Sequence, residues 1–409
     1  MSSAIALEKK IKKDLKGNTD ISIVELVDSL VEYAHAVRAS DIRITPVEQK
    51  VRVRLRIDGV LQDSFEIPSH IHNEVISRVK ILARLRTDEH QSAQDGRFRI
   101  VLGNAGPVDV RVSIVPTHHG ENAVMRILAD KSEQFGLDTL GFSKEDEEKI
   151  KDAIGRPFGM ILSTGPTGSG KTTTLYTLIK MLNKPDVSII TIEDPIEYAI
   201  SGVEQIQANT HSNLTFSSGL RSILRQDPDI IMVGEIRDSE TAGLAVNTAL
   251  TGHLLFSTLH TTDAATSLPR LLDMNVEPYL VASTVNLIIG QRLARRICPK
   301  CGEKHELTDA EKKSLGSVLL EGVAGEKQTF MRGIGCDYCN GTGYHGRVGI
   351  NEVMLVDDEI RDSFLRRAST SDLRKLAIKK GMTPMLIDGF NKAAMGITTV
   401  EEILRVIHE

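Results

Sequence analysis

Tryptophan is absent from this 409-residue chain, and phenylalanine, tyrosine and tryptophan together make up only 4% of it. Base-stacking platforms of the kind that line single-strand nucleic-acid channels are therefore scarce. No sign of charge dominates either: 50 Lys and Arg against 55 Asp and Glu leave a net charge of −5. A general basic coat for nucleic acid is thereby disfavoured, although a local positive channel is not excluded. No run approaches the ~18 consecutive apolar residues of a membrane span. The first twenty residues, MSSAIALEKKIKKDLKGNTD, lack the apolar core and small-residue cleavage site of a secretory signal, so the expectation is a cytosolic chain that starts with a basic helix.

What remains, 41% hydrophobic and 26% charged residues over more length than one core usually fills, is the composition of a globular protein of two or three domains. An apolar stripe through Ile23, Leu26, Val27, Leu30, Val31 and Ala34 predicts a helix ending near Ser40. Alternation then predicts strands at 42–45 and 51–57, with Asp58-Gly59 as a hairpin turn. Helix 72–83 and strands 98–102 and 108–115 complete a small α/β domain. After a charged helix at 144–154, short buried runs at 160–163, 188–192, 230–233 and 254–258 alternate with helical patterns, which predicts a parallel sheet with crossover helices. The domains expected are a helical segment 1–38, a small α/β domain 39–135 and a larger α/β domain 136–409, the last ending in helices over 357–409 capped at Thr370-Ser371 and Thr398-Thr399.

Residues 165–174 read GPTGSGKTTT, directly after the predicted strand 160–163 and before the helical run LYTLIKML. Gly165, Gly170, Lys171 and Thr172 satisfy the phosphate-binding pattern G-x-x-x-x-G-K-[ST]. The candidate cradle is Gly165, Pro166, Thr167, Gly168, Ser169, Gly170, Lys171, Thr172 and Thr173, whose glycines let the backbone N–H groups turn toward phosphate oxygens at a helix N-terminus. Lys171 would reach the β/γ-phosphates of ATP, and the Thr172 hydroxyl would join magnesium. A carboxylate is expected at the end of a neighbouring strand, and DPDIIMVGEIRD supplies Glu235 there, holding magnesium through water or polarising the attacking water. The run TIEDPIEY adds Glu193, Asp194 and Glu197 at the same edge, with Glu193 the candidate magnesium or water partner and a solvated loop the plainer reading. In TGHLLFSTLHTTDA, His260 follows a strand and is placed to sense the γ-phosphate, whereas His253 precedes it and reads equally as a buried, hydrogen-bonded histidine.

All four cysteines fall in two pairs, Cys298-Pro-Lys-Cys301 and Cys336-Asp-Tyr-Cys339. In a cytosolic setting paired C-x-x-C knuckles read as a closed structural zinc site, with a redox pair as the alternative.

These blocks, in this order, resemble the secretion ATPases of type II secretion and type IV pilus assembly, from about Ala39 to the C-terminus. In that family they are the Walker A segment 165–172, an Asp box 191–198, an atypical Walker B 229–238 that ends in Gly-Glu as Gly234-Glu235 does here, and a His box 251–262. The resemblance implies a RecA-like P-loop ATPase domain, with the zinc element 298–339 inserted, and a small first domain that folds over the nucleotide. It also implies that Arg111 and Arg126 reach the phosphates, where residue type alone would read them as surface ion-pair formers. It further implies a homo-hexamer at the inner face of the cytoplasmic membrane, working on a polytopic platform protein, with a further membrane docking partner where an extra N-terminal domain is present. The cysteine pairs favour the extension type. A nucleic-acid translocase or DNA-uptake and retraction motor of the same P-loop class is the competing reading, and a nucleotide-binding regulator without turnover is the third; no nucleic-acid partner is expected.

Overall fold

Alternating apolar and charged residues shape the first of two units, Met1–Ser132 and Glu133–Glu409, into which the computed structural model divides. The structure describes residues 2–16, 21–102, 106–128, 136–209, 212–306, 308 and 330–408; the expected boundary at residue 135 lies outside them. In the first unit, helices α1 (Ser2–Lys16) and α2 (Ile23–Ala36) precede β1 (Ala39–Pro46), β2 (Lys50–Ile57) and β3 (Val60–Pro68). Helix α3 (His72–Leu82) and strands β4 (Gln94–Leu102), β5 (Gly106–Thr117) and β6 (Gly120–Leu128) complete it. The six strands form an antiparallel sheet in the order β3-β2-β1-β6-β5-β4.

The sequence KVRVRLRI of β2 sends Val51, Val53 and Leu55 into the core and the arginines to the other face, as period-2 alternation requires. The β2–β3 turn has Asp58 at φ 47° and Gly59 at φ 86°, the two positive values of a type I′ hairpin. Ser22 caps α2 by accepting the Glu25 N–H. Ile11 of α1 and Leu26 and Leu30 of α2 are fully buried in the same core as Ile42, Val53 and Val110, so the helical segment shares its core with the strands.

In the second unit, the charged helix α4 (Lys144–Ile154), capped by Ser143, leads into β7 (Gly159–Thr164), α5 (Lys171–Leu182) and β8 (Ile189–Glu193). There follow β9 (Glu204–Gln207), α6 (Phe216–Ile223), β10 (Ile230–Val233), α7 (Ser239–Leu250), β11 (Leu254–Leu259), α8 (Ser267–Asp273), α9 (Pro278–Thr284) and β12 (Val285–Ile297). The sheet order is β15-β12-β7-β11-β10-β8-β9, where β15 is Tyr344–Leu355. Every pairing is parallel except β12 with β15. Successive residues explain the uninterrupted apolar runs: Met160, Ile231 and Leu255 enter one core, while Ile161, Met232 and Phe256 enter the other on the opposite face.

Two long strands went unread in the sequence. β12 and β15 are a hairpin that extends the sheet beyond β7, and the cysteine pairs lie between its arms beside a small ladder of β13 (Gly302–His305) and β14 (Phe330–Gly333). Four helices close the chain: α10 (Asp358–Leu365), α11 (Thr370–Lys379), α12 (Met385–Ala394) and α13 (Val400–His408). The cap expected at Thr370-Ser371 is Ser369, which accepts the Asp372 N–H; at the last helix Thr399 accepts the Glu402 N–H at 3.2 Å, as expected.

Candidate active site

The loop between β7 and α5 is bent by glycine. Gly165 has φ 143°, and a Cβ there would lie 2.3 Å from the Gln291 carbonyl oxygen; Gly170 has φ 94° and starts α5 from the left-handed region. No other residue type satisfies both without strain. Pro166, Thr167 and Gly168 are exposed at the crest of the loop, and Thr172 and Thr173 are half-buried in the first turn of α5. The Ser169 hydroxyl is buried and has no hydrogen-bond partner. Lys171 is only 8% exposed and its Nζ donates to the carbonyls of Gly165 at 2.8 Å and Pro166 at 3.0 Å. An orphaned hydroxyl, a helix N-terminus and an ammonium resting on loop carbonyls fit a cradle for an anionic, phosphate-sized group. Burial pushes the Lys171 ammonium down to about 8, against the opposing pull of the Glu235 carboxylate.

Beneath the loop, Gln291 of β12 is fully buried and accepts a hydrogen bond from Thr174 at 2.8 Å. This support was missed in the sequence, since Gln291 lies in an unread strand and no motif marks it.

Glu235 follows β10 and is held at the carboxyl edge of the sheet. Gly234 donates its N–H to Ile192, and its carbonyl accepts from Thr258 of β11 at 2.8 Å. The Glu235 carboxylate, 8% exposed, pairs with His260 Nε2 at 3.1 Å and accepts from Arg237 Nε at 2.5 Å. Lys171, Glu235 and His260, from three segments of the sequence, therefore meet at one edge. Arg237 joins them, and the Gly-Glu-Ile-Arg spacing, two residues on from Glu235, is the signal that would have found it.

Glu193 takes a different environment. Its buried carboxylate accepts hydrogen bonds from Tyr176 of α5, from Thr191 at 2.6 Å and from Gln205 at 3.1 Å. Among the described residues no hydrogen bond or ion pair joins it to Glu235, His260 or Lys171. The burial and the neighbouring carboxylate drive the Tyr176 hydroxyl far up, so it remains a donor. Asp194 and Glu197 are exposed, and Asp194 lines a cavity of about 480 Å³ with Arg237 and Asp238. His253 sits at the opposite, amino end of β11, bonded to the Thr248 carbonyl at 3.1 Å, which is the hydrogen-bonded alternative.

In the first unit, Arg111 of β5 and Arg126 of β6 are directly paired across the ladder. Both alternate with core residues and so project from the face opposite the apolar core. Arg126 Nε lies 3.1 Å from Asp41, whose other oxygen pairs with Arg56 at 3.4 Å.

The sulfurs of Cys298, Cys301, Cys336 and Cys339 all lie within 4.8 Å of one another. The separations Cys298–Cys336 of 3.8 Å, Cys301–Cys339 of 3.7 Å and Cys336–Cys339 of 3.7 Å are too long for disulfides. They match the edge of about 3.8 Å that a tetrahedron with Zn–S bonds near 2.3 Å requires. The amides of Cys336 and Gly343 each donate to Cys339 Sγ at 3.2 Å, the outer support expected of a thiolate ligand.

The model of the family described as "Type II/IV secretion system protein" matches residues 16–405. The type IV pilus assembly ATPase PilB of Myxococcus xanthus is 44% identical over 399 residues, covering 97% of this chain and 70% of that protein. Type II secretion system protein E of Xanthomonas campestris pv. campestris is 44% identical over 391 residues, 96% of this chain and 68% of its own. Among solved structures, the pilus retraction motor PilT with bound ADP aligns with a TM-score of 0.62 at 25% identity, covering 94% of this chain and 97% of that one. The Legionella pneumophila ATPase DotB aligns at 0.69 over 96% and 98% of the two chains, and at 22% identity this likeness shows the fold alone. A RecA-like sheet carrying the phosphate cradle, matched over nearly its whole length by these relatives, places the chain in the family of type II/IV secretion system proteins.

Proposed function

We propose that this protein is a secretion-type ATPase that powers assembly of a type IV pilus or a type II secretion pseudopilus. The meeting of Lys171, Glu235 and His260 beside the glycine loop carries the reading, since it combines a phosphate cradle with a carboxylate placed to act on water. Pro166–Thr173 cradle the phosphates of ATP, Lys171 leaves its loop carbonyls for the β/γ-phosphates, and Glu235 polarises the attacking water while His260 holds it in place. Bound magnesium would neutralise phosphate charge, with the Thr172 hydroxyl and, through water, Glu235 beside it. Glu193 acts by fixing Tyr176 and the β8–β9 edge rather than by touching the nucleotide. For Arg111 and Arg126 the assignment to phosphate charge stands on the motif resemblance, and replacing either by Ala should lower kcat.

The four cysteines hold a structural zinc, because a complete set of thiolates leaves no open position for chemistry. No helix among the described residues is long and apolar enough to cross a membrane. By the motif resemblance, we assign the chain to a homo-hexameric ring at the inner face of the cytoplasmic membrane, engaging a polytopic platform protein. The Lys171→Ala variant should lose magnesium-dependent ATP hydrolysis. Unchanged turnover would sink the active-site assignment. Glu235→Gln should bind ATP and hydrolyse it at least roughly a hundredfold more slowly.

A further inference from the structure

Glu352 is a buried carboxylate that the proposed hydrolysis does not use. It lies on β15, 5% exposed, between two backbone amides from distant parts of the chain. Oε1 accepts the Ala264 N–H at 2.6 Å, in the loop that follows His260, and Oε2 accepts the Met385 N–H at 3.3 Å, at the start of α12. Space for it comes from Gly290 on β12, where a Cβ would lie 2.8 Å from the Glu352 Cγ and 3.2 Å from the Ala264 nitrogen. Burial pushes the Glu352 carboxyl up, and Asp263 adds to this, while the two amides and Arg374 oppose it. Such a group is expensive to bury, and an apolar side chain would fill the volume without that cost.

A second tie reaches the same loop. Arg374 of α11 pairs with Asp263, whose other oxygen accepts the Thr266 N–H at 2.9 Å. From the third side, Thr261 donates its N–H to the hydroxyl of Thr164, the last residue of β7, at 3.1 Å. The segment 261–266 is thus anchored to the base of the phosphate loop, to the β15 strand and to the C-terminal helices. His260 stands at its head, against Glu235.

We propose that Glu352 and Arg374 are positioning residues: they strap the 261–266 loop to the C-terminal helices and so hold His260 in register with Glu235. The inference rests on the hydrolytic reading of that site. Its physical content is that the C-terminal helices set the geometry of the catalytic edge without touching nucleotide. Movement of α11 or α12 by a partner would then be felt at His260, since an error of about 1 Å in a catalytic group costs on the order of a hundredfold in rate.

Two measurements test it on the full chain. Hydrogen exchange of the 261–266 amides should accelerate in Glu352→Gln, which loses one acceptor at constant size, and in Arg374→Ala, a substitution at a half-exposed side chain that leaves the cores intact. In the second, kcat should fall about tenfold or more in either variant while the affinity for a fluorescent ADP analogue at the phosphate loop stays unchanged. Adding Arg374→Ala to His260→Ala should cost far less than it does alone. Unchanged exchange overturns the strap, and strictly additive losses overturn its action through His260. A kcat that His260→Ala leaves untouched is a separate result, refuting the histidine's part in hydrolysis while the exchange rates still report the strap.

Discussion

Lys171 bears its charge in a place that disfavours it, and the consequence is measurable. Its Nζ is satisfied by two loop carbonyls but desolvated, so the ammonium sits at about 8 rather than 10.5. That difference is worth roughly 3 kcal/mol. The folded protein binds fewer protons at this site than the unfolded chain between about pH 8 and 10.5, so the site penalises folding fully below pH 8 and the penalty is relieved as pH rises. Phosphate oxygens reverse the balance by pairing with the ammonium, which returns its pKa toward the ordinary lysine value. Nucleotide binding must then take up a proton above pH 8. Affinity for ADP should be flat between pH 7 and 8 and weaken above it, approaching tenfold per pH unit. The phosphates themselves do not confuse the result, since their last ionisation lies near pH 6. Titration of a fluorescent ADP analogue from pH 7 to 9.5 reads the slope, and calorimetry in buffers of different ionisation enthalpy counts the proton. In Lys171→Arg, where the cation cannot deprotonate, the slope should vanish. Equal slopes in wild type and Lys171→Arg, or a flat wild type, would refute the reasoning.

Zinc should be present at one ion per chain by elemental analysis and lost in Cys339→Ser, with a thermal midpoint lowered by several degrees as expected for a structural metal; ADP binding at the phosphate loop should survive, and a metal-free wild type would remove the assignment. Glu402 offers an acid test. Burial alone would raise its carboxyl, but hydrogen bonds from Arg405 and from Arg295 at 2.7 Å overcome this and hold it at about 2. Its contribution, on the order of 3 kcal/mol, is present above pH 4.5 and lost as pH falls toward 2. The urea midpoints of wild type and Glu402→Gln should therefore differ at pH 7, draw together below pH 4.5 and converge only as pH passes below about 2; a constant gap would contradict the linkage.

How much of the fold could be read from the chain depended on what buries each strand. β7, β8, β10 and β11 are covered on both faces, so their sequences are short unbroken apolar runs bounded by turns, and the parallel sheet followed from them. β12 starts the same way with Val285–Ile289 but carries Arg292, Arg295 and Arg296 in its second half, where it runs past the end of β7 and continues along β15 toward the cysteine element. β15 returns as GRVGINEVML, where charged and amide residues stand at buried positions: Asn351 takes the Gly141 carbonyl and Glu352 the two amides. Those polar residues erase the period that a pattern reading needs. Cap positions slipped for a related reason, since Ser369, Thr370 and Ser371 all have the chemistry of a cap and only backbone geometry selects Ser369.

The site divides along the same line between local and distant constraint. Gly165, Gly170 and Lys171 were legible because the cradle is built within one short stretch of chain: positive φ demands glycine at 165 and 170, and Lys171 follows at once as the first residue of α5. Strand pattern alone did not separate Glu193 from Glu235: each is an acid at the carboxyl end of an apolar parallel strand. What separates them is one buried tyrosine. Tyr176, on α5, donates its hydroxyl to Glu193 at the end of β8, which joins that carboxylate to a hydrogen-bonded network with Thr191 and Gln205, while Glu235 pairs with His260 and Arg237 at the edge. If that division of labour is right, Tyr176→Phe should free one Glu193 oxygen and cost about 1–3 kcal/mol of stability, with ADP affinity unchanged. Glu235→Gln, by contrast, should leave stability nearly intact and remove turnover. The reverse pattern would exchange the two glutamates, making Glu193 the residue that acts on water.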